Sequence, residues 1–344
     1  MRALTFQAPG EVRVIDVPAP ELTGPGDAIV RVQASGVCGS DLHIYHGRVR
    51  IEPGFVLGHE LVGTVEQVGD DVARVSVGDR VLSCFHTACG SCFYCLAGTY
   101  QHCTRRRVFG HGAAMGNLPG AQAERVLVPD ADMTLRLLPA GVSEELGLFA
   151  GDVMGTGYHA IAAGNVRPGD AVAVLGLGPV GLCAVQAARA AGAAAVFAVD
   201  SVPARLAMAE SFGATPVHLT EQDVASTIVA ATAGRGADVV VEAVGDAAAL
   251  GLALALVRPA GAVSVVGVHA ERAQVHMGLM WIKGVTMHTG LANVIGHVDR
   301  VLAMMSGGVL DPGPLVTHHM SLDEGSEAYA IFDRREALKI ILAP

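Results

Sequence analysis

Charge is scarce in this sequence: Asp, Glu, Lys and Arg make up 16% of 344 residues, and basic side chains are outnumbered 23 to 33. The formal net charge of -10 leaves no basic face for nucleic acid or an anionic membrane, both of which are held by clustered Lys and Arg. Aromatic residues are also few, at 4% with one tryptophan, while hydrophobic residues reach 51% beside 43 glycines. That balance excludes a disordered chain and describes a compact one rich in Val, Ala and tight turns. No apolar run is long enough to span a bilayer without interruption. Residues 171–188 lack charge, but Gly176-Leu177-Gly178-Pro179-Val180-Gly181 breaks the run with residues that suit a turn. The first ten residues carry a single Arg and no long apolar stretch, so no signal or transit peptide is expected and a cytoplasmic location is.

A chain of this length supports two domains, each able to bury its own core. In the first part, short β-like runs such as residues 28–32, 61–68 and 125–128 are punctuated by Gly, Pro and Asp at turn positions, which predicts a β-rich, barrel-like domain. The pattern then changes to apolar strands alternating with Ala-rich helices: 171–175, 179–191, 194–199 and 203–212, with later strands at 239–243 and 262–268. Gly192 and Gly213 fall where helix C-caps belong. Such alternation predicts a doubly wound parallel sheet of the Rossmann type, an α/β arrangement. The expected division is 1–152 for the β-rich domain, including a lobe at 84–107, then 153–287 for the nucleotide domain, with 288–344 returning to the first.

The glycine-rich turn Gly176, Gly178, Pro179, Val180 and Gly181 follows a predicted strand and opens a predicted helix, where backbone N–H groups approach a pyrophosphate. Asp200 ends the next predicted strand, about where a carboxylate binds the adenosine ribose hydroxyls and repels a 2′-phosphate. NAD is therefore expected over NADP. Arg205 stands near enough in sequence to pair with Asp200 or to sit by the ribose. A solvated Asp after an ordinary βα turn is the plainer alternative.

Seven cysteines in a reducing compartment read as ligands or inert core residues rather than disulfides. Cys89, Cys92, Cys95 and Cys103 have the spacing C-x2-C-x2-C-x7-C, which lets four thiolates converge tetrahedrally on one ion. An iron–sulfur cluster is the alternative, and zinc is favoured because the set is isolated and lies beside a dehydrogenase pattern. A closed four-sulfur site leaves no position for a substrate, so it is expected to stabilise the lobe. Arg105, Arg106 and Arg107 after it are expected to form a solvated loop in so acidic a chain.

Cys38-Gly39-Ser40-Asp41-Leu42-His43 and Gly58-His59-Glu60 carry little alone. Together with the four-cysteine lobe, Asp152, Thr156-Gly157-Tyr158 and the Gly176–Gly181 turn, in that order, the whole chain closely resembles the zinc-dependent medium-chain alcohol dehydrogenases. The resemblance implies that Cys38, His59 and Asp152 hold a catalytic zinc, with Glu60 beside it and able to enter its shell. Many relatives have Cys where Asp152 stands, and Asp152 is also a favoured N-cap for a helix starting at Val153. An Asp keeps the ligand charge, while its harder oxygen loosens zinc selectivity. Together with Gly120-Ala121-Gln122-Ala123-Glu124, this Asp is similar to a bacterial tetrameric branch acting on secondary alcohols or formaldehyde.

The resemblance further implies a relay in which Ser40 takes the alcohol proton and His43 returns it to solvent, with Asp41 orienting His59. By the same matching Thr156 and Val268 lie near a nicotinamide, Lys339 approaches the pyrophosphate and Phe85 lines the substrate pocket. Zinc lowers the pKa of bound water from about 16 to about 7, and the same effect on an alcohol prepares it to give a hydride to NAD. The expectation is thus an NAD-dependent oxidoreductase with two zinc ions per chain, a small-molecule alcohol or carbonyl substrate and a homotetrameric assembly. A metal-free reductase of the same fold and a zinc-stabilised binding protein without turnover are the competing readings.

Overall fold

The computed structural model describes residues 1–344. Fifteen strands follow in chain order: β1 (Arg2–Ala8), β2 (Glu11–Asp16), β3 (Ala28–Val37), β4 (Leu61–Val68), β5 (Arg80–Ser83), β6 (Arg125–Val128) and β7 (Leu135–Leu137), then β8 (Ala171–Leu175), β9 (Ala195–Asp200), β10 (Thr215–His218), β11 (Ala237–Glu242), β12 (Val257–Val265) and β13 (Thr286–Thr289), and last β14 (Val316–Ser321) and β15 (Lys339–Ala343). Two compact units contain them, one formed by Met1–Gly155 with Asn293–Pro344, the other by Thr156–Ala292.

The first unit is β-rich. Its seven-stranded sheet has the order β14-β15-β3-β4-β5-β7, with β6 also paired to β3, and β1 and β2 form a separate hairpin. The ten-residue β3 is the organising strand: β4, β6 and β15 all run antiparallel to it. Its apolar residues Ala28, Val30 and Val32 pack with Leu61, Val65, Val81 and Val126 into one core. A second core gathers Leu4, Phe6, Val37 and Ile44 with Tyr329, Ile340 and Leu342 from the far end of the chain. Burying each such Val or Leu contributes about 1.5–3 kcal/mol, so residues 293–344 hold this unit closed by apolar contact as well as by β15.

The second unit is a six-stranded, wholly parallel sheet in the order β10-β9-β8-β11-β12-β13. Its central strands are apolar without alternation: Ala171, Val172, Ala173, Val174 and Leu175 of β8 are all buried, as expected where helices cover both faces. The order reverses between β8 and β11, which makes the carboxyl end of β8 the place where such sheets bind ligands. No helix is long and apolar enough to cross a membrane.

Candidate active site

The site is built around the end of β3. The chain leaves β3 at Cys38, which stands in extended conformation at the N-cap of the helix Gly39–Tyr45. Asp41, in the first turn, accepts from the Cys38 backbone N–H at 3.0 Å with one carboxylate oxygen. Its other oxygen lies 3.0 Å from His59 Nδ1. One short carboxylate thus caps the helix and sets the His59 ring with Nε2 turned away from it. Asp152 arrives from elsewhere, on the residue before the helix Val153–Ala163.

These three elements bring Cys38 Sγ within 3.3 Å of Asp152 Oδ2, and His59 Nε2 within 3.2 Å of the same oxygen. The three donor atoms all lie within 4.8 Å of one another, and all three side chains are buried. Burial pushes the Cys38 thiol up, and the Asp152 charge adds to it. Burial opposes ionisation of Asp152 too, but His59 outweighs it and holds the carboxyl well below its usual range. The His59 ring shows the mirror effect: burial disfavours its charge, yet Asp41, then Asp152 and Cys38, raise its pKa well above the ordinary value. A thiol, a carboxylate and an imidazole focused on one buried point suit a dication. Three mixed S, N and O ligands are the pattern of a catalytic zinc site, which keeps a fourth position open.

Glu60 is not among the converging atoms. β4 and β15 flank the end of β3, with Ser35 opposite Leu61 and Gly36 opposite Ile341. Glu60 just before β4 and Lys339 at the start of β15 therefore face each other across Gly36, where a Cβ would overlap the Glu60 carboxylate. The Lys339 ammonium sits on that carboxylate and donates to the Val37 carbonyl at 3.4 Å, and both side chains are wholly buried. Burial works against the Lys339 charge, but Glu60 more than restores it. Lys339, expected near a pyrophosphate, has its charge enclosed against Glu60, because β15 lies beside β3.

Ser40 Oγ lies 3.2 Å from His59 Nε2. His43 is one turn further along the same helix, half-buried, with Nδ1 shielded from solvent and lacking a hydrogen-bond partner. Burial, aided by Arg48 and His46, lowers its pKa. The Phe85 ring meets His59 edge-on at 6.4 Å. His111 was not legible as a site residue, yet its ring lies 5.0 Å from that of His59. Its only sequence signal is its place between Gly110 and Gly112, which have φ of +68° and +66°.

The four cysteines of the lobe converge as their spacing predicts. Cys92 Sγ and Cys89 Sγ lie 3.5 and 3.9 Å from Cys95 Sγ, too far for disulfides, and all four sulfurs fall within 4.8 Å of one another. Cys103 Sγ accepts backbone N–H groups from Cys89 at 3.2 Å and Arg105 at 3.4 Å. Backbone N–H donors, Thr104's foremost, draw Cys92 down to about 7, whereas burial raises Cys95 to about 12. The set is a closed tetrahedral one in its chemistry, matching a structural zinc.

In the second unit, Gly176 follows β8 with φ +85°, and Gly178 caps the helix Pro179–Ala190 with Pro179 in its first turn. A Cβ on Gly181 would overlap the Gly176 carbonyl, whereas Gly178 faces open space with nothing within 4 Å. The first fact explains the tight strand-to-helix packing. The second leaves room for a phosphate at the helix N-terminus. Asp200 ends β9 and accepts N–H groups from Leu177 at 2.7 Å, Ser201 at 2.7 Å and Val202 at 2.9 Å, with Arg205 Nη1 3.9 Å away. The carboxylate thus ties the glycine-rich turn to β9. Val180 lies in the first turn of that helix, Thr156 in the helix Val153–Ala163, and Val268 on the loop after β12 with its backbone against Gly245.

Two family models match the chain: the alcohol dehydrogenase GroES-like domain over residues 24–139, and the zinc-binding dehydrogenase over residues 179–306. A probable zinc-binding alcohol dehydrogenase of Mycobacterium tuberculosis is 40% identical across 100% of this chain and 89% of its own. The chain belongs to the zinc-dependent medium-chain alcohol dehydrogenases. Among solved structures of this family, an alcohol dehydrogenase from Thermus sp. ATN1 superposes with a TM-score of 0.97 at 46% identity, covering 100% of this chain and 99% of that one. A zinc-binding dehydrogenase from Sinorhizobium meliloti bound to NADP has a TM-score of 0.87 at 28% identity, with 100% and 99% covered. Family membership makes the chain an oxidoreductase of the zinc-dependent alcohol dehydrogenase class.

Proposed function

We propose that the chain interconverts an alcohol and its aldehyde or ketone with NAD, using a catalytic zinc at Cys38, His59 and Asp152 and a structural zinc at Cys89, Cys92, Cys95 and Cys103. The observation that carries this reading is the convergence of Cys38 Sγ, His59 Nε2 and Asp152 Oδ2 within 4.8 Å in a buried pocket. When bound, zinc supplies the Lewis acidity that eases loss of the alcohol proton, and the nicotinamide accepts the hydride. Two anionic ligands and one neutral imidazole balance a +2 charge, and Asp41 fixes the imidazole with Nε2 toward the pocket. Ser40 Oγ receives the alcohol proton, and His43, three residues on and one turn away, carries it toward solvent. Lys339 holds Glu60 out of the ligand set.

Gly176, Gly178, Pro179, Val180 and Gly181 cradle the pyrophosphate, and Thr156 and Val268 lie near the nicotinamide. The choice of NAD rests on Asp200, whose charge repels a 2′-phosphate. Three of its roughly four acceptor sites already hold backbone N–H groups, so its repulsion counts for more than its bonds to the ribose. Self-association to a homotetramer fits the second unit, where β13 ends the sheet and Trp281 and Ile282 are 84% and 74% exposed. Seven free cysteines fit the reducing cytoplasm. The test is a steady-state screen of primary, secondary and aromatic alcohols with NAD and with NADP. Turnover with NAD supports the reading, and absence of turnover with every pair overturns it.

A further inference from the structure

His111 lies outside the metal-binding set and the proton relay, yet it borders both. Its ring meets that of His59 at 5.0 Å with the planes 69° apart. His111 Nδ1 lies 2.8 Å from the Phe109 carbonyl oxygen. A carbonyl only accepts, so Nδ1 carries the hydrogen, and in the neutral ring Nε2 is left as a bare acceptor. That nitrogen has no hydrogen-bond partner in the protein, and it is not among the enclosed unpartnered atoms, so solvent reaches it on the half-buried ring. Gly110 and Gly112 on either side have positive φ, a backbone course that brings the loop against the residues before His59. A Cβ on Gly110 would press into the Gly58 backbone directly before His59.

The surroundings narrow what such an acceptor meets. Asp41, Glu60 and Asp152 are buried carboxylates of this pocket, and Lys339, its buried cation, is enclosed by Glu60. Lys339 balances Glu60, and zinc, when bound, balances Cys38 and Asp152, so Lys339 is not free to pair with an anionic group of the substrate. Phe85 supplies an apolar wall on His59.

We propose that His111 is a specificity residue whose Nε2 accepts a hydrogen bond from a second hydroxyl of the substrate, so that the preferred alcohols are uncharged diols or hydroxy-alcohols. This rests on the alcohol-oxidising reading above. A site built to bond a hydroxyl discriminates against the analogue that lacks it, because the acceptor is then left unpaired.

The experiment compares 1,2-pentanediol and 1,3-butanediol with 1-pentanol and 1-butanol in the zinc-loaded enzyme with NAD, for the parent, His111→Phe and His111→Gln. The quantity read is the diol-to-monohydric ratio of kcat/KM. His111→Phe is expected to lower that ratio about tenfold while keeping turnover of the monohydric alcohols, and His111→Gln, which retains an acceptor, to restore part of it. A ratio that His111→Phe leaves unchanged overturns the proposal, as does a loss that falls equally on both alcohol types. Should the parent oxidise neither type, the alcohol-oxidising reading fails by itself, and binding decides the role of His111. A diol-induced rise in melting temperature that His111→Phe abolishes then supports it, and an equal rise, or none in the parent, overturns it.

Discussion

The ammonium of Lys339 rests on the carboxylate of Glu60, both side chains wholly buried, one residue along the chain from His59. The pair joins β15 to the start of β4 across Gly36 and lies directly behind the pocket where Cys38, His59 and Asp152 converge. Replacing Lys339 by Met leaves a buried carboxylate with no cation, which costs about 3–5 kcal/mol. The expected result in urea denaturation is a marked loss for Lys339→Met, largely recovered when Glu60→Gln is added. A single mutant as stable as the parent would contradict the pairing.

Ser40 contacts His59 without belonging to the converging donors. Ser40→Ala is expected to slow alcohol oxidation about a hundredfold, within the usual range for a lost proton-transfer group, with zinc content unchanged. An unchanged turnover number, with hydride transfer shown to limit the rate, removes Ser40 from the relay.

Asp200 is expected to give the parent at least a tenfold preference for NAD over NADP in kcat/KM, equivalent to about 1.4 kcal/mol. Because its carboxylate also holds Leu177, Ser201 and Val202, Asp200→Asn is the cleaner variant, keeping an acceptor while losing the charge. The NAD/NADP ratio should fall about tenfold, and Asp200→Gly should also raise the KM for NAD. A parent that favours NADP, or a ratio indifferent to both variants, would show that Asp200 does not select the cofactor.

Asp238 is the buried junction of the parallel sheet. Its carboxylate accepts the Ala171 N–H at 2.8 Å and meets Arg258 Nε at 2.5 Å, linking β11 to β8 and β12. Burial raises its pKa, but the Ala171 N–H and then Arg258 outweigh it and hold the carboxyl below its usual range. A carboxyl with a folded pKa below its unfolded value of about 3.9 stabilises fully above that value, and the contribution fades as pH falls through the folded pKa. Asp238→Asn should therefore cost about 1–3 kcal/mol at pH 7, with the gap narrowing below pH 4. Urea denaturation at both pH values checks this, and a gap independent of pH would contradict it.

What the sequence made legible was local chemistry. The spacing of Cys89, Cys92, Cys95 and Cys103 encodes their convergence because a short loop leaves few other arrangements. The Gly176–Gly181 turn is similarly self-contained, since Gly181 has no Cβ for the reason that the Gly176 carbonyl occupies its place. The apolar runs at 28–32, 61–68 and 171–175 fall in β3, β4 and β8, where pattern and register agree. Cys38, His59 and Asp152 became candidates only through the order of motifs along the whole chain, because nothing local ties residue 38 to residue 152. Contacts set by strand order stayed hidden. Lys339 meets Glu60 only because β15 and β4 flank the same strand, and no periodicity encodes that. His111 reaches His59 through the backbone course of a glycine-flanked loop, and Asp200 spends three acceptor sites on N–H groups that only the folded turn presents.

The central claim is that Cys38, His59 and Asp152 form a metal site separate from the four-cysteine lobe. Zinc content per chain, measured on the purified parent and on Cys38→Ala and Cys95→Ser, tests it most directly. The expected parent value is two. Cys38→Ala should hold one zinc, lose turnover and still bind NAD, whereas Cys95→Ser should lose the other zinc and melt at a lower temperature. A Cys38→Ala protein that keeps two zinc ions and turns over normally would contradict the account.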